Sequence, residues 1–240
     1  MPGGAARAAW RKLAGLGVPA AAAWALVVVH TFDAAEAARL LVAHRITHCF
    51  GSDEMFEALL AHAPDPQAVP AYPLLRVCGF AAFRAGAAVV AEACIRRGMP
   101  LAGLYGSSEV HALFAIQGLD RPLSERLEGG GTPVNPDAAI RVRDAETGAL
   151  LPVGGTGLLE FRAPSNFTGY LANPEATAKA LRGGWFHTGD LGKLDARGML
   201  SITGRESDMY ISGGSNVYPR ECEELLLTHP AVAEVAVLGV

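Results

Sequence analysis

Leu101-Ala102-Gly103-Leu104-Tyr105-Gly106-Ser107-Ser108-Glu109 divides this sequence into two textures. Its first five residues form a short apolar run that reads as a strand, and the small polar residues after it read as a loop at the strand's C-terminal end. Upstream, helix and strand signals alternate. Residues 33–44 carry Ala34, Ala37, Ala38 and Leu41 at helical spacing behind Asp33, a suitable N-cap. Residues 45–50 form a β-like run, Ser52 opens a helix through Met55, Leu59 and Leu60, and residues 75–78 read as a strand. An Ala-rich helix over 84–97 ends at Gly98 and Pro100. That alternation predicts a layered α/β sheet.

Downstream of Glu109, Gly, Pro and hairpin signals dominate. Residues 140–142 and 158–161 flank a turn at Glu146-Thr147-Gly148, and residues 191–203 read as a second hairpin turning at Asp195-Ala196-Arg197-Gly198. This half reads as a β-rich subdomain, with Gly129-Gly130-Gly131-Thr132-Pro133 as a loop. Short helices are expected at 174–181, with Pro174 in the first turn, and at 219–227, and a strand at 232–240.

Half of the 240 residues are apolar and 18% are charged, which excludes a disordered chain and fits a compact α/β protein. The formal net charge of −4 gives no electrostatic reason to expect nucleic acid as a partner, and no Lys/Arg run marks an anionic membrane surface. Cys49, Cys78, Cys94 and Cys222 fall at spacings that match no zinc or redox pattern, and read as reduced, buried residues of a cytosolic protein. Arg7, Arg11 and Lys12 precede an uncharged stretch, 13–29, with the outline of a signal peptide. It is rich in Ala, Gly and Pro, short for a membrane span and without a clear cleavage site. It reads as a helix leading into a buried strand at 24–29, so no transmembrane segment is expected and the location is read as cytoplasmic.

Three segments carry candidate chemistry. In Tyr105-Gly106-Ser107-Ser108-Glu109 a hydroxyl stands beside a carboxylate where α/β sheets place ligands, a pairing suited to a magnesium-bound phosphate; a plain polar turn is the alternative. In Gly184-Trp185-Phe186-His187-Thr188-Gly189-Asp190 an Asp held by a glycine turn suits a ribose diol, or else forms an Asx turn into the hairpin. His187 reads as a packed, hydrogen-bonded histidine, since no Cys or His lies at metal spacing from it. In the third, residues 204–223, a charged strand end and the pair Gly213–Gly214 precede a helix near Pro219. This is either a ligand-approaching loop or a loop-to-helix junction whose Glu221, Glu223 and Glu224 favour the helix N-terminus.

Taken in order, the three segments resemble the adenylate-forming superfamily of acyl-CoA synthetases, aryl-CoA ligases, adenylation domains and beetle luciferase. Its members carry Tyr-Gly-x-Ser/Thr-Glu, then Trp-Phe-x-Thr-Gly-Asp, then a Gly-Arg hinge before Gly-Gly-x-Asn-Val-x-Pro-x-Glu-x-Glu. The likeness runs from about Phe32 onward and is nearer the acyl-CoA synthetase branch. It implies the C-terminal half of the large N-domain (1–203, α/β to about 110 and β-rich from about 111) and then, over 204–240, the hinge and the start of a small α+β domain. It further implies two-step activation of a carboxylic acid, with ATP and CoA as co-substrates and Mg²⁺ as cofactor, in a setting such as fatty-acid metabolism. Carried over residue by residue, Tyr105 lies against adenine, Ser108 touches phosphate and Glu109 holds Mg²⁺. Asp190 binds the ribose hydroxyls and Arg205 the same nucleotide. Ser207 sits at the hinge, where relatives often carry Asp or Lys. Gly79 and Phe80 line the acyl pocket, and Gly213 and Gly214 border the CoA channel.

Two family features are not found in the 240 residues: a Ser/Thr/Gly-rich phosphate loop ending in Pro-Lys, and the lysine used in adenylation, expected beyond Val240. The chain is therefore read as a partial ligase. The alternatives are an inactive remnant or AMP-binding module, and an adenylation domain that loads a carrier-protein thiol.

Overall fold

The computed structural model describes Val27 and residues 31–81, 87–208, 210–212 and 215–239. The expected helix and strand over 13–29 and the start of the 84–97 helix lie outside those residues, as do Gly213 and Gly214.

Side-chain caps start the first two helices where the sequence marks them. Asp33 accepts the Glu36 N–H at 2.8 Å to open α1 (Ala34–Ala43). Ser52, the last residue of β1 (His48–Ser52), accepts the Met55 N–H to open α2 (Asp53–Ala61). Two further strands follow, β2 (Val77–Ala81) and β3 (Leu101–Tyr105), separated by α3 (Ala87–Arg96). β1, β2 and β3 pair in parallel, so each connection must cross the sheet, and α2 and α3 make those crossings. Their apolar sides meet the sheet in a first core built on Phe56, Leu59, Phe80, Cys94 and Leu101. The first two strands lie two to three residues later than the sequence pattern suggests. For β1 the reason is the α2 cap, which makes Ser52 the shared boundary of strand and helix; β2 follows by register, with Val77–Ala81 opposite His48–Ser52.

Past Tyr105 the pairing turns antiparallel. β4 (Ala115–Ile116) and β5 (Gly130–Pro133), separated by the short α4 (Leu123–Arg126), extend the sheet from β3. Then come β6 (Ala139–Arg143), β7 (Gly157–Arg162), α5 (Pro174–Ala180), β8 (Leu181–Arg182), β9 (Trp185–Leu194) and β10 (Leu200–Arg205). The sheet order is β1-β2-β3-β4-β5-β10-β9-β7-β6, with β8 beside β9. The α/β and β-rich halves thus share one continuous sheet, and the second core sits on its antiparallel half. There Phe114 stacks on Phe161 at 4.1 Å and Tyr105 meets Phe161 edge-on at 5.5 Å. A small hairpin, β11 (Tyr210–Ser212) and β12 (Ser215–Val217), precedes α6 (Pro219–Leu227).

Two expectations are corrected. The Gly129–Pro133 stretch is mostly strand, not loop. A Cβ on Gly130 would overlap the Leu200 carbonyl, and one on Gly131 the Ile116 carbonyl, so glycine is what lets β5 fit between β4 and β10. Residues 233–239 form no strand: they have no ladder partner among the described residues, and the Val237 N–H donates instead to the Glu223 carboxylate at 2.9 Å. Cys78 and Cys94 are buried, Cys49 and Cys222 only half-buried, and all four are free thiols. No helix among the described residues is long and apolar enough to cross a membrane.

Phe161 has no exposed surface and two aromatic neighbours, so Phe161→Ala should destabilise the fold by about 3–5 kcal/mol. A urea titration reads this as a lower midpoint with an unchanged slope.

Candidate functional site

The loop after β3 folds back at once. A Cβ on Gly106 would overlap the Ala112 carbonyl, and the Phe114 N–H returns to the Tyr105 carbonyl at 2.9 Å. Glycine at 106 is what permits that turn. Inside it, Ser108–Val110 forms one turn of 3₁₀ helix that leaves Ser108 exposed. The Glu109 carbonyl accepts the Phe167 N–H at 2.7 Å, and its carboxylate accepts the Tyr170 hydroxyl at 3.0 Å. Partial burial works against ionising Glu109. Its own N–H, the nearby Ser107 hydroxyl, Tyr170 and the charge of Arg205 outweigh that, and hold its carboxyl below the usual range.

Asp190 reaches the same place from β9. Along the β7–β9 ladder Glu160 faces His187, but the next pair is Leu158 with Leu191. Thr188, Gly189 and Asp190 therefore stand opposite the single residue Leu159. On the other side Ile202 pairs with Gly192 and Gly204 with Leu191, leaving Thr203 as an extra residue in β10. Two bulges thus flank Asp190, and bulges bend strands and re-aim side chains. Gly189 takes φ +73°, a left-handed conformation that most side chains disfavour.

The Asp190 carboxylate is buried and bonded on both oxygens. Oδ2 accepts the Tyr105 hydroxyl in a short hydrogen bond, and Oδ1 accepts Arg205 Nε at 2.8 Å. Burial, then the Asp190 charge and hydrogen bond, push the Tyr105 phenol far above its ordinary value. The hydrogen bond to Asp190, and its charge, raise Arg205 in turn. Asp190 therefore lies in a strand, not in an Asx turn. It looks onto a cavity of about 750 Å³ whose wall includes Tyr105, Ser107, Arg205, Ser207, Tyr218 and Glu223.

The structure brings Tyr105, Asp190 and Arg205 into direct contact and sets Ser207 on the cavity wall. Ser108 and Glu109 stand beside the cavity rather than in its wall, close enough for Arg205 to act on Glu109. It does not bring Phe80 to the cavity: that ring is 1% exposed and packs in the first core, because strand alternation turns residue 80 toward α2 and α3. The opposite face of β2 carries Gly79, whose missing side chain leaves room for Phe50 and Leu104, and Ala81, which does line the cavity. Tyr170, 61 residues from Glu109, had no local signal in the sequence.

A second buried carboxylate lies on the same ladder. Glu160, 1% exposed, accepts from Arg141, from Arg143 Nε at 2.9 Å and from His187 Nδ1 at 2.9 Å. With Nδ1–H donating, His187 Nε2 is left buried without a partner, so a second proton there would have no acceptor. Desolvation first, opposed by Glu160 and assisted by Arg182, Arg141 and Arg143, lowers the His187 pKa.

Over residues 13–171 the sequence matches the family described as AMP-binding enzyme. It is 33% identical over 215 residues to a 2-succinylbenzoate–CoA ligase of Geobacillus sp. (strain WCH70), covering 90% of this chain and 42% of that one. An O-succinylbenzoate coenzyme A synthetase from Bacillus subtilis, solved in complex with AMP, is similar with TM-score 0.74 and 27% identity over 87% of this chain and 41% of its own. The amide bond synthetase McbA from Marinactinospora thermotolerans gives TM-score 0.74 and 30% identity, over 88% and 43%. The chain spans less than half the length of these relatives, and it shares with them the α/β fold expected from the sequence, here a mixed sheet.

The lowered His187 pKa sets the sign of a pH effect. As pH falls through the ordinary histidine value, the unfolded chain takes up this proton before the folded chain does, so stability is full above about 6.5 and declines below it. Urea midpoints at about pH 7.5 and about pH 5.5 should therefore fall with acid, and fall less in His187→Gln.

Proposed function

The chain belongs to the AMP-binding enzyme family, and from that premise we propose that it carries the nucleotide site of an ATP-dependent carboxylic acid–CoA ligase. The observation that carries this reading is the Asp190 carboxylate, held on a cavity wall between Tyr105 and Arg205. A fixed acceptor pair of this kind suits the two hydroxyls of a ribose. Tyr105 then lies beside the base, and Arg205, most of whose side chain is exposed, reaches the same nucleotide.

In the reaction proposed, a carboxylate oxygen of the acid attacks the α-phosphorus of ATP and pyrophosphate departs with the electrons of the broken P–O bond. The CoA thiol, giving up its proton, then attacks the acyl carbonyl, and AMP leaves. Holding the reactants in line and neutralising phosphate charge do most of the work in such transfers. Ser108, exposed beside the cavity, donates its hydroxyl to a phosphoryl oxygen. Glu109 offers one ionised oxygen ligand, and Mg²⁺ is commonly held by one or two carboxylates together with substrate phosphates. The donor set therefore fits that ion, which when bound supplies charge neutralisation at the phosphates.

The acid lies along the Gly79 and Ala81 face of β2. Residues 1–203 act as part of the large domain and 204–240 as hinge and part of the small one, turning near Ser207. Cavity wall contributed from both sides of residue 204 supports that division. The name of the Geobacillus relative makes 2-succinylbenzoate the first acid to try, ahead of fatty acids.

Calorimetric titration of the 240-residue chain with AMP tests the reading. Wild type should bind, and Asp190→Ala should weaken AMP roughly tenfold to hundredfold, as loss of charged hydrogen bonds predicts. Equal affinity in the two would remove Asp190 from the ribose site. Glu109→Gln should reduce the gain that Mg²⁺ gives to ATP binding while leaving Mg²⁺-free AMP binding alone; an unchanged Mg²⁺ dependence would refute the metal role. ATP–pyrophosphate exchange with 2-succinylbenzoate, benzoate and straight-chain acids reads the first half-reaction. AMP binding without exchange would favour a nucleotide-binding module. Exchange followed by transfer to a phosphopantetheinylated carrier protein, but not to CoA, would favour the carrier-loading alternative.

A further inference from the structure

We infer that Thr188 is a positioning residue, and that its hydroxyl sets where the Asp190 carboxylate points. The inference rests on the proposed ribose site for its functional meaning, and on hydrogen bonds of the chain alone for its geometry.

The Thr188 hydroxyl makes two bonds that together close the β9 bulge. It donates to the Leu159 carbonyl at 3.0 Å and accepts the Asp190 N–H at 2.9 Å. Leu159 is the residue that the bulge leaves without a partner on β9, while on its other side it pairs with Val142 of β6. One side chain therefore supplies the acceptor and the donor that a regular ladder would have supplied there, and buried backbone groups need such partners. Without it the Leu159 carbonyl and the Asp190 N–H lose those bonds, and the three-residue excursion from His187 to Leu191 loses its internal tie.

The bulge is fixed at both ends. Upstream, His187 is bonded to Glu160, which Arg141 and Arg143 also hold. Downstream, Tyr105 and Arg205 hold the Asp190 carboxylate itself. Between these anchors the path is set by the Thr188 hydroxyl, the left-handed Gly189 and the Glu206 N–H, which donates to the Gly189 carbonyl at 2.9 Å. A carboxylate that must accept two ribose hydroxyls has to stay close to its productive geometry, and supporting bonds of this kind provide that. Serine can make both bonds. Valine has nearly the same shape and can make neither.

The test compares Thr188→Val and Thr188→Ser in the full 240-residue chain, with two readouts. The first needs no ligand: the NMR resonance of the Tyr105 hydroxyl proton, assigned by its loss in Tyr105→Phe, reports whether Asp190 still accepts from Tyr105. It should be present in wild type and Thr188→Ser and lost in Thr188→Val; the Thr188 hydroxyl also acts on the Tyr105 phenol directly, so a shift without loss overturns the inference. An unmoved resonance in folded Thr188→Val would overturn the inference. If Thr188→Val does not fold, Thr188→Cys takes its place, since a thiol is a much weaker donor and acceptor for the same two bonds. Loss of the Tyr105 resonance then supports the inference, and its persistence overturns it. The second readout is AMP affinity, which should fall about tenfold in Thr188→Val and return in Thr188→Ser. A wild-type chain that does not bind AMP would sink the proposed function, while the Tyr105 resonance would still decide the role of Thr188.

Discussion

The contact on which the site depends is the one between the Asp190 carboxylate, the Tyr105 hydroxyl and the Arg205 guanidinium. A carboxylate taken out of water is costly unless its charge is compensated and its oxygens are bonded. Tyr105 and Arg205 meet that requirement from β3 and from the end of β10, 85 and 15 residues away in sequence. Satisfying one buried charge therefore ties the last parallel strand to the antiparallel half of the sheet. It also sets the carboxylate on the cavity wall at the carboxyl end of β3, and open α/β sheets tend to hold ligands outside the carboxyl ends of their strands.

Glu160 solves the same physical problem on the next strand with a different outcome. Its oxygens are enclosed by two arginines and a histidine whose side chains are themselves mostly covered, and Arg141 also lies 4.1 Å over the Trp185 ring. Nothing about that arrangement leaves a face for a ligand, and its consequence is structural, holding β6, β7 and β9 in register. Asp190 instead has one partner, Arg205, with a side chain 62% exposed, and it borders open volume. Two buried carboxylates a few residues apart on one ladder thus have separate roles, and the exposure of their partners distinguishes them.

Local chemistry explains which parts could be read from sequence. Caps at Asp33 and Ser52, the apolar run Leu101–Tyr105 and the Pro219–Leu227 helix are decided by neighbours within a few residues, and the structure has them where the pattern puts them. The convergence of Tyr105, Asp190 and Arg205 was legible through the wording of three motifs. The glycines of β5 were not, because what requires them is the close approach of Leu200 and Ile116, which lie far off in the chain or across a turn. The packing of Phe80 among the helices was hidden for a related reason: a one-residue alternation decides whether a strand residue faces the helices or the cavity. Tyr170 answers to Glu109 across a fold that no local pattern encodes.

The way Asp190 is held also bears on how a nucleotide could enter. An ionised carboxylate offers about four lone-pair positions, two on each oxygen. Tyr105 uses one on Oδ2 and Arg205 Nε uses one on Oδ1. One position on each oxygen remains, which matches a pair of hydroxyl donors such as the vicinal diol of a ribose. Binding in that mode adds bonds to a carboxylate already in place and breaks none of the protein's own, so little reorganisation opposes it. In the proposed ribose site, the same bonds that make Asp190 tolerable as a buried charge are the ones that orient it for a diol, and the bulge in β9 is what brings the two requirements to one residue.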